Sequence, residues 1–211
     1  MSNLSESTLR QSLNPIITEG ELVYLLPGSA DSRYARTKRA VQKGELIRVK
    51  RGLYVINKKL CQQTPNTFAL AQRIYGPSYI SLESALSYHG LIPEAVYSIT
   101  SVTIKRPNVF TTPLGNFHYL RLPTFNFFMG VTSIKEGNNS YLMATPWKAL
   151  LDYIYCYKKN YHDLADATED LRLDVDEFPK VSEADLKALD NYYQNKRINK
   201  FINNLEPEYK L

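Results

Sequence analysis

The sequence has little cysteine, little histidine and no long apolar run, and each shortage excludes a class of protein. Its two cysteines, Cys61 and Cys156, are far apart, which predicts reduced thiols rather than a disulfide framework or a structural zinc site. No apolar run approaches the roughly 20 residues of a membrane span, and the N-terminal segment lacks the basic and apolar regions of a signal peptide. We therefore expect a cytoplasmic protein that does not bind membranes.

Catalytic patterns are also scarce. No serine occupies a nucleophile elbow, and Gly28-Ser29 lies far from the single Asp-x-Asp at 174–176, unlike the close spacing that a nucleotidyltransferase needs for Mg²⁺. The chain is therefore predicted not to be an enzyme and to use no cofactor or metal. The three histidines share no metal-ligand spacing: His89, His118 and His162.

One enzymatic alternative stays open, a metal-dependent nuclease that docks on nucleic acid through its N-terminal domain. Metal-assisted strand cleavage needs clustered carboxylates, and the segment from Asp163 to Glu177 is rich in acids. Leu164, Leu171 and Leu173 are interspersed with these acids, so the same segment also fits a helix with a solvated acidic face. We favour the solvated face.

Positive charge is concentrated near the N-terminus. The chain has 211 residues, 44% hydrophobic and 22% charged, which is typical of a folded globular protein, and its formal net charge is +5. From Asp31 to Lys59 there are 10 Lys and Arg residues against two acids, whereas the last 51 residues are net acidic. This concentration indicates a polyanionic partner, with a protein partner as the alternative.

The basic segment follows a predicted series of helices. Ser5 or Ser7 caps a first helix through Leu9 and Leu13, which ends before Pro15. A second helix covers 21–26 and breaks at Pro27-Gly28, and a third begins at Ser29 or Asp31 and ends near Lys43, before Gly44. In the third helix Tyr34 and Val41 share one side, predicted to pack, and cations occupy the opposite arc of about 120°.

A β-hairpin is predicted next, with Arg51-Gly52 at its tip and short β-rich runs on either side. The order of helix, turn, basic helix and basic hairpin predicts a winged helix-turn-helix over residues 1–60, which binds double-stranded DNA. Arg33 and Arg36 are predicted to read guanine edges, Ser32 and Thr37 to act as lesser readers, and Arg39 to do either. Four further cations are predicted to contact phosphates: Lys43, Arg48, Lys50 and Arg51.

Residues 61–211 are predicted to form a larger α+β domain. One helix opens at Thr64-Pro65, and Thr145-Pro146 opens another. Between them the segment Tyr79–Leu91 predicts a helix with Ser81 or Leu82 near its start and Gly90 at its C-terminal cap. Strands around Val102 and Leu120, from Phe125 to Ile134 and from Ser140 to Met143 predict an antiparallel sheet. Ser182 caps a final helix that continues to about Leu205.

The order of three segments resembles the AbiEi-type antitoxins of bacterial type IV toxin–antitoxin systems. The segments are Lys43–Val55 in the hairpin, Tyr79–Leu91 with its Ser84-Ala85-Leu86 and His89-Gly90-Leu91 elements, and Ala144–Asp152. Together they extend over residues 43–152, and the trio in this order is more specific than the hairpin alone.

This resemblance implies a repressor of its own operon that takes part in abortive infection, a defence against phage. It also implies that the C-terminal domain counters a nucleotidyltransferase-like toxin without forming a stable complex with it. A helix-turn-helix often binds paired half-sites, so both a monomer and a dimer on DNA fit the sequence.

Overall fold

A computed structural model of the chain describes residues 14–61, 63–94, 96–205 and Tyr209. These residues contain eight α-helices and two β-sheets, so the protein belongs to a mixed α and β class. The predicted first helix, with Leu9 and Leu13, lies outside the described residues.

The smaller sheet and two helices make up a helix–hairpin unit, defined as residues 16–56. Its strands lie in the order β1-β3-β2, with both neighbouring pairs antiparallel. The sequence predicts both helices and the hairpin but not the three-residue first strand. In chain order the unit contains β1 (Ile16–Thr18), α1 (Glu19–Leu25), α2 (Ala30–Gln42), β2 (Leu46–Lys50) and β3 (Leu53–Ile56).

Local polar contacts determine where α1 and α2 begin. At α1 the Glu21 backbone N–H donates to the Thr18 hydroxyl at 3.2 Å, and the Glu21 carboxylate accepts from the Thr18 N–H at 2.6 Å, forming a capping box. Ser29 caps α2 by accepting from the Ser32 N–H at 3.3 Å. Gly44, with a φ of +70°, follows the end of α2. The predicted extent of this helix is confirmed.

The buried side of α2 differs from the predicted one. Thr37 and Ala40 are buried, and Val41 is half-buried against the core of the unit. Tyr34, predicted to pack beside Val41, is 70% exposed. That prediction is wrong because helical spacing shows which residues share a face but not which part of the face its neighbours cover.

The larger sheet is mixed, in the order β6-β7-β5-β4-β9-β8. The predicted antiparallel sheet is wrong, because two of its neighbouring pairs are parallel. Hairpin turns determine only the pairing of consecutive strands, and no local signal places one strand between two distant ones. In chain order the strands are β4 (Ser78–Ile80), β5 (Ser98–Thr103), β6 (Asn108–Thr112), β7 (Gly115–Arg121), β8 (Val131–Glu136) and β9 (Asn139–Ala144). The parallel pairs are β4 with β9 and β5 with β7.

In this region one predicted helix starts as expected and one predicted strand starts later. The predicted start at Ser81 or Leu82 is confirmed, because Ser81 is the N-cap and the helix begins at Leu82. The preceding residues Ser78–Ile80 form β4, which is buried throughout and which the sequence does not predict. A strand buried on both faces shows no alternation of polar and apolar residues, so its pattern does not separate it from a buried helix. The strand predicted from Phe125 begins only at Val131.

Within the described residues, six helices share a hydrophobic core with the larger sheet. The predicted starts of the helices at Pro146 and after Ser182 are confirmed, whereas the helix predicted at Thr64-Pro65 starts after its cap, Asn66. The single final helix predicted to Leu205 is wrong, because Gln194 adopts a left-handed conformation and divides it. The helices are α3 (Thr67–Ile74), α4 (Leu82–Tyr88), α5 (Pro146–Cys156), α6 (Leu164–Leu171), α7 (Glu183–Tyr193) and α8 (Lys196–Asn203).

The smaller sheet packs on both of its faces. Ile17 and Ile56 belong to the core that the sheet forms with α1 and α2. Ile16, Leu53 and Val55 point the other way, as the period of two in a strand requires, and belong to the same packed cluster as the core of residues 67–205. The helix–hairpin unit and residues 67–205, called the second part of the chain below, therefore share hydrophobic packing. The division of the chain at residue 60 stays a prediction.

Two further features concern membranes and cysteines. Within the described ranges, no helix has the length and apolar character needed to cross a bilayer. Cys61 is buried and Cys156 is half-buried, and neither forms a disulfide.

Candidate nucleic-acid interface

The arginines at the start of α2 hold the turn between α1 and α2. The Arg33 guanidinium donates to the Gly28 carbonyl, and that of Arg36 donates to the Pro27 carbonyl and, at 3.4 Å, to the Ser32 carbonyl. Both arginines are half-buried. These guanidinium donors are directed at carbonyls of the protein's own backbone. Base reading by either residue therefore gains no support from this geometry and stays a prediction.

Burial separates the other predicted contacts of α2. Thr37 is 7% exposed, and its hydroxyl donates to the Arg33 carbonyl at 2.9 Å. This placement argues against the predicted reading of bases by Thr37, because a buried and bonded hydroxyl does not reach a base edge. Ser32, Arg39 and Lys43 are exposed, and the Arg39 Nε donates to a backbone carbonyl one turn earlier at 3.2 Å.

The three cations of the hairpin point in two directions. Arg48 and Arg51 are exposed, and their role as phosphate contacts stays a prediction. Lys50 is half-buried, and its ammonium donates to the Ile74 carbonyl at the end of α3. Burial, and then the nearby ammonium of Lys105, lower the pKa of Lys50. The predicted phosphate contact of Lys50 is therefore replaced by a contact with the second part of the chain.

The tip of the hairpin is held against the start of α1. Gly52 has a φ of +75°, and its carbonyl accepts from the Glu19 N–H at 2.8 Å. A Cβ atom at Gly52 would lie 3.0 Å from a carboxylate oxygen of Glu19. Glycine is required at this tip by its positive φ and by the close approach of Glu19.

A helix–hairpin cleft of about 500 Å³ lies between α2 and the hairpin. Its charged lining residues are three cations and one carboxylate, and two tyrosines add aromatic surface with hydrogen-bonding hydroxyls. The cleft is therefore cationic, and it is bounded by secondary structure on both sides. These lining residues are Glu19, Tyr34, Lys38, Arg48, Arg51 and Tyr54.

Of these lining residues, Glu19, Tyr34, Lys38 and Tyr54 are not among the predicted contacts, although two signals in the sequence bear on Lys38 and Tyr54. Lys38 follows Tyr34 by four positions, so the two residues share the exposed side of α2. Tyr54 is paired with Arg48 across the hairpin, which places both on one face. Finding them requires knowing that Tyr34 is exposed, which the tertiary structure decides.

A second cleft, of about 430 Å³, has the opposite charge. It lies on the larger sheet, where Glu83, Glu94 and Asp170 contribute carboxylates near His118. Burial, and next the charge of Glu83, raise the pKa of Tyr157 in its wall, so this hydroxyl stays protonated. A nucleic-acid backbone is repelled by such a lining, so the cationic side of the molecule is the better candidate.

The segment Ala144–Asp152 contributes a fully enclosed ion pair. The Lys148 ammonium lies 2.5 Å from a carboxylate oxygen of Asp152, and neither side chain is exposed. Tyr79, Ser81 and Tyr193 donate to the same carboxylate at 2.9, 2.7 and 2.7 Å. The pair joins β4, α5 and α7, and its burial indicates a structural role rather than contact with a ligand.

Electrostatics within this cluster follow from burial. Desolvation lowers the pKa of Lys148, and the opposite charge of Asp152 partly offsets that effect. Desolvation, followed by the charge of Asp152, raises the pKa values of Tyr79 and Tyr193 well above the usual range. Both tyrosines therefore remain hydrogen-bond donors to the carboxylate.

The acid-rich segment offers no metal site within the described part of the chain. The apolar residues Leu164, Leu171 and Leu173 are buried, whereas Asp174 and Asp176 are exposed. No group of three or more His, Cys, Asp or Glu side chains among the described residues is placed to hold a metal ion. This geometry adds no support to the nuclease alternative.

Comparison with known proteins leaves the family open: no family model matches the chain, and no curated protein matches it either. The resemblance to the AbiEi-type antitoxins therefore stays a prediction based on the three segments.

Proposed function

We propose that this protein binds double-stranded DNA through the helix–hairpin unit and represses transcription of its own operon. In this proposal the unit is a winged helix-turn-helix, α2 is the recognition helix and the β2–β3 hairpin is the wing. The element order supports it, because α1, a tight turn and α2 are followed directly by a hairpin in the same small sheet.

The observation that carries the proposal is the cationic helix–hairpin cleft. Lys38 from α2 and the hairpin residues Arg48 and Arg51 line one surface. Cations on a helix and on an adjacent hairpin match the two contacts of a winged helix, one in the major groove and one on the backbone. Phosphate neutralisation by such residues supplies most of the affinity for DNA.

We propose different roles for the residues on the two sides of α2. Tyr34 and Lys38 lie on the exposed side of α2, so we assign base and groove contacts to this side. Arg33 and Arg36 are assigned a positioning role, because they bond the carbonyls of the turn that sets the angle between α1 and α2.

The second part of the proposal rests on the resemblance. We propose that the protein is also the antitoxin of a type IV system, and that residues 61–211 counter a nucleotidyltransferase-like toxin without a stable complex between the two proteins. The cytoplasm is the compartment where such a repressor acts. Both a monomer and a dimer on DNA are compatible with the exposed side of α2.

The test is binding to the DNA upstream of the protein's own gene, measured across salt concentrations with scrambled DNA as the reference. We expect selective binding whose logarithm falls linearly with the logarithm of salt concentration. Changing Arg48→Gln and Arg51→Gln together should reduce that slope by about 1.8, because each lost phosphate contact contributes about 0.9.

A matched control is Lys200→Gln, which removes one exposed charge from α8 and should leave the slope unchanged. Equal and weak binding of the unchanged protein to upstream and scrambled DNA would contradict the repressor function. In that case the basic face serves a different partner.

A further inference from the structure

Cations of the second part of the chain lie beside the hairpin. The Lys50 ammonium donates to the carbonyl of Ile74, the last residue of α3, and the Lys105 ammonium donates to the carbonyl of Gly76, two residues later. Burial lowers the pKa of Lys50, and the charge of the nearby Lys105 ammonium lowers it further. Positive charge from the hairpin and from the β5–β6 loop therefore meets at the end of α3.

The β5–β6 loop, residues 104–107, is anchored at this position. The Lys105 ammonium lies 5.3 Å from the centroid of the Tyr75 ring, and the Tyr75 hydroxyl donates to the Arg106 carbonyl at 3.1 Å. Lys105 and Arg106 are both exposed. The loop thus presents two adjacent cations to solvent from a backbone that is bonded to its neighbours.

The distance between the hairpin and this loop is held by packing and by polar contacts. Leu53 and Val55 of β3 belong to the packed cluster of the second part of the chain. An Arg73 to Glu21 ion pair, at 3.2 Å, adds a link between α3 and the capping box of α1. The hairpin and the loop are therefore held at a fixed offset from each other.

We propose that duplex DNA held by the helix–hairpin unit continues past the hairpin and over the β5–β6 loop, where Lys105 and Arg106 contact its phosphate backbone. This inference rests on the proposed DNA binding and adds a second contact region, from outside the winged helix. It predicts a longer site on the DNA than the winged helix alone covers.

Phosphate fits this loop for three reasons. The loop itself, Ile104-Lys105-Arg106-Pro107, has no acidic residue. The side chains carry several N–H donors each, and the guanidinium of arginine matches phosphate in a bidentate geometry. The nearby Lys50 adds to the positive electrostatic potential at the loop, and this potential attracts an anion such as phosphate.

The experiment uses the full chain with Lys105→Gln, Arg106→Gln and the double change. Glutamine removes the charge at Lys105 but keeps an N–H donor for the Gly76 carbonyl, and thermal unfolding verifies that each variant is folded. We expect each single change to reduce the salt slope by about 0.9 and to weaken binding roughly fivefold near 0.15 M salt. The double change should weaken binding roughly 30-fold.

The loss is expected to be equal on upstream and scrambled DNA, because backbone contacts carry no sequence information. Hydroxyl-radical footprinting should show protection lost at one edge of the site of each bound protomer and kept over the rest of that site. Lys187→Gln, an exposed charge on α7, is the matched control and should change neither the slope nor the footprint.

Two failures are distinguishable. If the double variant keeps the slope and footprint of the unchanged protein while Arg48→Gln and Arg51→Gln reduce the slope, the inference about the loop is overturned and the proposed function stands. If the unchanged protein does not select its upstream DNA, the proposed function is overturned, and the loop contact with it.

Discussion

The Lys148–Asp152 pair is the most enclosed charged group among the described residues, with no exposure of either side chain. Three donors besides lysine, the hydroxyls of Tyr79, Ser81 and Tyr193, complete the hydrogen bonding of the carboxylate. A buried ion pair contributes little net stability, but removing one partner leaves an uncompensated charge in a medium of low dielectric constant. The pair and its hydrogen bonds therefore hold α5 in one position between β4 and α7, because another position would leave a buried charge without its partners.

Changing Lys148→Met is expected to lower the free energy of unfolding by about 3–5 kcal/mol, because Asp152 is then buried without its counter-ion. Urea denaturation measures this loss. The exposed pair of Lys159 and Asp170, at 2.5 Å, is the control, and Lys159→Met should cost less than about 1 kcal/mol.

Coupling between the two partners gives a stricter test. Lys148→Met and Asp152→Asn together should cost less than the sum of the single changes, since the second change removes the charge that the first left unpaired. Additive losses would contradict a direct interaction.

At the scale of elements, the ends of helices follow local rules and the placement of strands does not. Ser29 and Ser182 cap α2 and α7, and Pro146 starts α5, as the sequence indicates. These starts are predictable because a cap bonds to a backbone N–H only a few residues away. β4 is missed because it is three residues long, buried throughout and paired with strands distant in sequence.

The division between α7 and α8 also has a local cause that the apolar pattern conceals. Gln194 has a φ of +47° and ψ of 45°, in the left-handed region where a Cβ atom is unfavourable. Asn195 then caps α8 by accepting from the Arg197 N–H at 3.0 Å. The apolar spacing continues through both helices, so spacing alone does not show the break.

Replacing Gln194→Gly should raise the free energy of unfolding by about 0.5–1 kcal/mol, because glycine adopts a positive φ without the steric cost. Thermal or urea unfolding measures the change. Lys187→Gly, inside α7, is the control and should lower stability by about 1 kcal/mol. A loss at both positions would argue against the left-handed break.

At the scale of the whole molecule, the smaller sheet belongs to two cores. Ile17 and Ile56 pack toward α1 and α2, and Ile16, Leu53 and Val55 pack toward the rest of the chain. Unfolding of either part exposes apolar surface of the other, which couples the two parts energetically.

We therefore expect a single cooperative unfolding transition. Fluorescence of the one tryptophan, Trp147, and far-ultraviolet circular dichroism should give coincident curves. Leu53→Ala should lower the free energy of unfolding by about 2–4 kcal/mol as measured by both probes, although Leu53 lies far from Trp147 in sequence. Val109→Ala, at a position 57% exposed, should change the free energy of unfolding from either probe by less than about 0.5 kcal/mol. Separate transitions for the two probes would show independent domains.

By itself the sequence determined the local features: the capped helices, the glycine at the hairpin tip and the concentration of cations between Asp31 and Lys59. Each depends on residues close together in the chain. The tertiary structure decided that Tyr34 is exposed, that Thr37 and Lys50 turn inward, and that the larger sheet is mixed. These depend on contacts between distant segments, because burial of a face is settled by what packs against it, and no periodicity within one element contains that information.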